Sequence, residues 1–143
     1  MANFFAVRAE IAEKLREIPG FKQIYTPLNS VSVTEMSQVT PAAHVNFHRV
    51  RKVDDAGRGK SNLLGLQWAV TVACRNAQSQ RNDITAVADE AGEFLDRVIE
   101  LLAGWEPDSS ITPLQIVDVK DGYGPAFVYY TVIFESQMIT GAA

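Results

Sequence analysis

One cysteine, Cys74, and two histidines, His44 and His48, are all that this 143-residue chain offers of the side chains most used for disulfides and metal sites. A lone cysteine excludes an internal disulfide and fits a reducing, cytoplasmic place of synthesis. No apolar run approaches the ~20 residues needed to cross a bilayer, so no membrane partner is expected. The opening Met1-Ala2-Asn3-Phe4-Phe5 has neither a basic n-region nor a continuous apolar h-region, and a signal peptide is not expected. Positive charge is not in excess either. Thirteen basic against seventeen acidic residues leave a net charge of −4, which disfavours a dedicated nucleic-acid binder. What is present, 47% hydrophobic and 21% charged residues, is the composition of a soluble globular protein. At this length it forms one domain, residues 1–143, able to bury roughly two-thirds of its unfolded surface.

The hydrophobic pattern sets out the elements. Phe4, Val7, Ile11, Leu15 and Ile18 recur at helical spacing behind Asn3 as an N-cap, with Glu10 and Lys14 paired on the outer face. Pro19-Gly20 stops that helix, and residues 21–25 lead into a short edge strand. Residues 26–41, with two prolines and several hydroxyl side chains, read as a connecting loop. Ala43, Val45 and Phe47 then alternate with polar neighbours, as do Leu66, Trp68, Val70, Val72 and Cys74, which predicts two strands of a hairpin. After a polar turn over 76–82, with Asn82 or Asp83 as cap, a second helix runs to about Ala103. Its stripe is Ile84, Val87, Ala88, Ala91, Leu95, Val98, Ile99 and Leu102, and Gly104 ends it. Two further strands cover about residues 114–120 and 126–137. The expected fold is α+β: a mainly antiparallel sheet with a long β-hairpin and two helices packed on it.

Between the hairpin strands, residues 49–62 form a connection much longer than the two to five residues that usually close a hairpin. Residues 49–60 hold five basic side chains (Arg49, Arg51, Lys52, Arg58, Lys60) and two acidic ones, a net of +3 on a chain whose remainder sums to −7. Its Gly57-Arg58-Gly59-Lys60-Ser61 looks like the end of a phosphate-binding loop. The glycine required five residues before Gly59 is Asp54, however, and a strand rather than a helix follows, so a flexible hairpin tip is the expectation. The counterpart in charge is the second helix. Asp89, Glu90, Glu93, Asp96 and Glu100 lie on its outer side, and residues 83–100 net −5.

No constellation reads as catalytic. His44 and His48 share a face of one strand but stand about 13 Å apart at ~3.3 Å per residue, too far to hold one ion, and no Cys, Asp or Glu cluster joins them. Cys74 falls on the apolar face and is expected to be an inert packed thiol. No G-x-S-x-G elbow surrounds any serine. No cofactor, metal site or enzymatic activity is expected. The last strand is unusual in being apolar on both faces, Phe127, Tyr129, Thr131 and Ile133 on one and Val128, Tyr130, Val132 and Phe134 on the other. It is either central with a helix on each side, or it keeps one apolar face for a neighbouring subunit.

The element order resembles that of the tail terminator proteins of long-tailed bacteriophages and prophages. So does the texture of Leu66-Gln67-Trp68-Ala69-Val70-Thr71-Val72, of Ala88-Asp89-Glu90-Ala91-Gly92-Glu93-Phe94-Leu95, and of residues 118–125 before an aromatic strand. The resemblance covers nearly the whole chain. It implies a hexameric ring that caps the finished tail tube, stops its polymerisation and offers a surface to head-completion proteins. The implied partners are other copies of the chain, the tail tube protein and a head-completion protein, with a monomer expected if the tube is needed as template. The implied location is the bacterial cytoplasm during assembly and the virion tail afterwards. On the charge split, the basic arm is expected to meet the acidic helix of the next subunit, with Tyr130 and Phe134 as further interface candidates. The alternatives are another neck or tube-associated assembly protein, or a small module whose basic arm contacts DNA without sequence specificity.

Overall fold

The computed structural model describes residues 4–26, 39–55, 57, 59–75, 84–123 and 126–141, with backbone alone for 84–88 and 123. Two helices, α1 (Ala6–Leu15) and α2 (Ile84–Leu102), accompany five strands: β1 (Gln23–Tyr25), β2 (Ala42–Asp55), β3 (Asn62–Arg75), β4 (Gln115–Tyr123) and β5 (Phe127–Thr140). The strands form one sheet in the order β1-β2-β3-β5-β4. Every pairing is antiparallel except β1 with β2, so the fold is α+β with a mainly antiparallel sheet, as the hydrophobic pattern predicts.

The helices form where the apolar stripe is sustained. In α1 that stripe buries Val7, Ile11 and Leu15. Its start differs from expectation: the N-cap is Phe5, with no side-chain capping bond, and Asn3 lies outside the described residues. Glu10 and Lys14 do not pair. Lys14 instead meets Glu17 at 3.1 Å, and Glu10 Oε1 accepts the Ser109 N–H at 2.9 Å, tying α1 to the loop after α2. In α2, Ala91, Phe94, Val98 and Leu102 are buried and Leu95 and Ile99 flank them. Phe94 belongs on the inner stripe although the periodicity reading passes over it. The expected cap of α2, and the polar turn before it, lie outside the described residues, as does most of the 26–41 loop.

Both helices pack on the same face of the sheet. Their buried residues join Val45, Trp68, Val70, Val72, Val128, Val132 and Phe134 in one core. Each such side chain contributes roughly 1.5–3 kcal/mol by leaving water. β5 is interior, between β3 and β4, but among the described residues helices cover one side only, not one side each. On the reverse face Tyr129 and Thr131 are half-buried, and the Thr131 and Thr71 hydroxyls share a 2.7 Å hydrogen bond.

The long connection of the sequence reading is mostly strand. β2 continues to Asp55 and β3 begins at Asn62, so residues 49–55 and 62–65 are paired and only 56–61 connect them. Main-chain hydrogen bonds build a ladder whatever the side chains, so a polar composition does not end a strand. The alternation that would have revealed it is broken by register shifts between Phe47 and Arg49 and between Lys52 and Asp54, each of which moves later side chains to the other face. β3 is supported up to the base of the tip. β5 accompanies β3 along its whole length, Asn62 opposite Thr140. Gly141, at φ +76°, then lies so close to the Lys60 carbonyl that an added Cβ would overlap it.

Candidate assembly surface

The distal half of β2 carries the basic residues singled out by charge. Every residue from His48 to Asp55 is exposed, in contrast to the buried start of the strand. Arg49 and Arg51 stand opposite Gln67 and Gly65, on the face away from the helices. Val50 and Lys52 stand opposite Leu66 and Leu64, on the helix face. Two of the expected free cations are engaged within the chain. Lys52 pairs with Asp55 at 2.7 Å and holds its carboxyl below the usual range. Arg51 grips Glu135 with two parallel bonds, Nε to Oε1 at 2.6 Å and Nη2 to Oε2 at 2.8 Å. Arg49 and Lys60 are exposed and make no ion pair among the described residues, and Arg58 lies outside them.

Glu135 is the centre of this region that charge counting misses. Its side chain is 7% exposed against 45% for Arg51, so an anion is held inside the sheet by a cation at its surface. Gln67 Nε2 donates a further bond at 3.2 Å. The Arg51 bonds, more than the Gln67 bond, hold the carboxyl below the ordinary value of 4.5 against the desolvation that would raise it, and Glu135 in turn raises the Arg51 guanidinium. Reaching from β5 across β3 to β2 requires an empty place on the middle strand, which is Gly65. A Cβ there would stand 2.7 Å from Glu135 Cδ and Oε1. The available signal was a single acidic residue in the otherwise apolar run of β5, since a charge in a buried strand must find a partner. Around the pair a cleft of about 560 Å³ crosses four strands, lined by His48, Arg49, Gln115, Asp118 and Lys120 among others.

The acidic residues Asp89, Glu90, Glu93, Asp96 and Glu100 are all exposed on α2 and form no ion pair among the described residues. Within one chain the basic arm and this helix are not brought together. Of the two aromatic candidates, Tyr130 is half-buried against the core. Phe134 is fully enclosed in it beneath the helices, which leaves it no surface to offer a neighbour. Its place on an interior strand under α2 is the reason. A second apolar surface was not anticipated. Ile116, Val117 and Val119, at 43, 48 and 47% exposure, lie along β4, which is the sheet's outer edge.

Cys74 is buried, and burial pushes its thiol up to about 12, with Glu90 adding to the shift. His44 stacks on Tyr25 at 4.8 Å between ring centroids, and burial lowers its pKa. His48 is exposed. Among the described residues no three His, Cys, Asp or Glu side chains gather as metal ligands, and no helix is long and apolar enough to cross a membrane. The Gly57 to Ser61 stretch is a connection between antiparallel strands, without the helix a phosphate loop needs.

What the described surface offers is exposed charge and open sheet edges on a well-packed α+β domain. The chain belongs to the phage tail terminator family: the profile of "Phage tail terminator protein" matches residues 1–143, and the protein is therefore a structural tail protein. Among solved structures it is similar in fold to a chain of the virion of a native gene transfer agent (GTA) particle. The two share 12% identity and a TM-score of 0.59, with 92% of each chain covered. No curated protein sequence matches it.

Proposed function

We propose that this protein forms a ring, of six copies, on the end of a completed tail tube, where it stops further addition of tube subunits and presents the surface to which a head-completion protein binds. Membership of the terminator family over the whole length carries this reading. The work is non-enzymatic and is done in the bacterial cytoplasm before the particle is complete. Two surfaces suit it. The tip of the arm of one copy, through Lys60 and Arg58, meets carboxylates of α2 such as Glu93, Asp96 and Glu100 of the next, a contact that strengthens as salt is lowered. With Arg51 neutralised by Glu135, which lies outside the arm, the arm is less positive than its composition suggests, which favours a protein partner over DNA.

The test is solution mass by light scattering with and without tail tubes, together with tube length in cells lacking the protein. A mass of six copies on tubes, and tubes of uncontrolled length in its absence, are expected. Tubes of normal length without the protein would contradict the reading.

A further inference from the structure

We infer that β4 of one copy pairs along the open edge of β2 of the next, so that the sheet continues from subunit to subunit. The inference rests on the ring reading and gives it an interface. Among the described residues both edges are bare. β4 has β5 on one side only, and β1 covers β2 only at Ala42, Ala43 and His44, leaving residues 45–55 without an outer partner among the described residues. The lengths suit each other: β4 is nine residues long, and β2 is open for eleven. Bare strand edges that carry exposed aliphatic side chains associate unless they are blocked. Here Ile116, Val117 and Val119 line one edge, and Val50 and Val53 the other.

The faces also agree. Ile116 and Val119 stand opposite Phe134 and Val132, on the helix side, and so do Val50 and Lys52, opposite Leu66 and Leu64. With Val119 set opposite Val50 in the continued sheet, aliphatic meets aliphatic on that side. On the reverse side the same register sets Asp118 opposite Arg51 and Lys120 opposite Arg49, one opposite-charge pair beside one like-charge pair. Direction is the third agreement. Three successive antiparallel pairings make β4 run opposite to β2, so copies set side by side meet in antiparallel register. Because the two edges differ, the contact is head-to-tail and closes when the rotation allows. β1 blocks the start of β2, so each copy is displaced along the strands. Val119 is level with Val45, and bringing it opposite Val50, the middle of the open edge, needs a shift from the level of Val70 to that of Leu66, or ~13 Å. Such a stagger tilts the strands of any closed sheet.

Thiol cross-linking tests this on the assembled protein. Cys74 is buried, so the parent chain should not react with a short bismaleimide. Val50→Cys with Val119→Cys should give a ladder of covalent oligomers, whereas Val50→Cys alone should stop at unlinked chains. Exposed residues changed in Ile116→Lys with Val119→Lys should leave the fold and melting temperature intact, yet raise the concentration for half-assembly at least about tenfold, the loss of roughly one buried aliphatic contact. An oligomer that gives no ladder with the cysteine pair, or whose mass survives both lysines, overturns the strand pairing and leaves the ring reading standing. A protein that stays monomeric even on tail tubes overturns both.

Discussion

Residues 42–45 of β2 lie beneath α1 and beside β1, buried or nearly so, whereas residues 48–55 of the same strand are exposed on both faces and along one edge. One continuous ladder with β3 thus runs from a solvent-free core into open water. The proximal half is held by side chains. The distal half is held by main-chain pairing, by β5 following β3 out to Thr140, and by the single bridge from Arg51 to Glu135. A strand built this way reaches beyond the core without needing a core of its own, and it leaves Arg49, Val50 and Val53 exposed.

The contrast can be broken most severely at its proximal end. Trp68→Ala removes a fully buried indole whose Nε1 donates to Ser136 Oγ at 2.8 Å, and should cost about 3–5 kcal/mol in urea unfolding. Gly65→Ala comes next, at about 1–3 kcal/mol, because the new methyl must displace Glu135 from Arg51. Combined with Arg51→Ala it should cost clearly less than alone, and a double-mutant cycle reads that coupling. The third effect is one of pH. Glu135 is held below its ordinary value of 4.5 by Arg51, so the contribution of the pair is complete above that value and is lost as pH falls through the lower folded value. Urea midpoints measured downward from about pH 5 should fall in the parent and fall less in Glu135→Gln. The smallest effect belongs to the distal half: Val50→Ser and Val53→Ser should change stability by no more than about 0.5 kcal/mol, since neither side chain is buried.

How much of this was legible in the sequence follows from the same contrast. α2 and the alternating part of β3 could be read because burial imposes a period, and Val98, Leu102, Trp68, Val70 and Val72 all face the core as their spacing requires. The outer reach of β2 could not, because nothing buried imposes a period on it and two bulges break the one it has. The basic residues were found as a group, but composition does not show which of them are already paired. Arg51 meets a partner 84 positions away, and only the strand order β2-β3-β5 brings the two together. The β4 edge escaped for a similar reason. Ile116, Val117 and Val119 read as ordinary strand residues until the topology places them last in the sheet.

The claim that distal β2 is exposed in order to be covered by a neighbour is tested most directly by amide hydrogen exchange on the free and the tube-assembled protein. The account predicts slowed exchange on assembly in residues 45–55 of β2 and 115–123 of β4, with β3 unchanged. Assembly that leaves both edges exchanging as fast as in the free chain would contradict it.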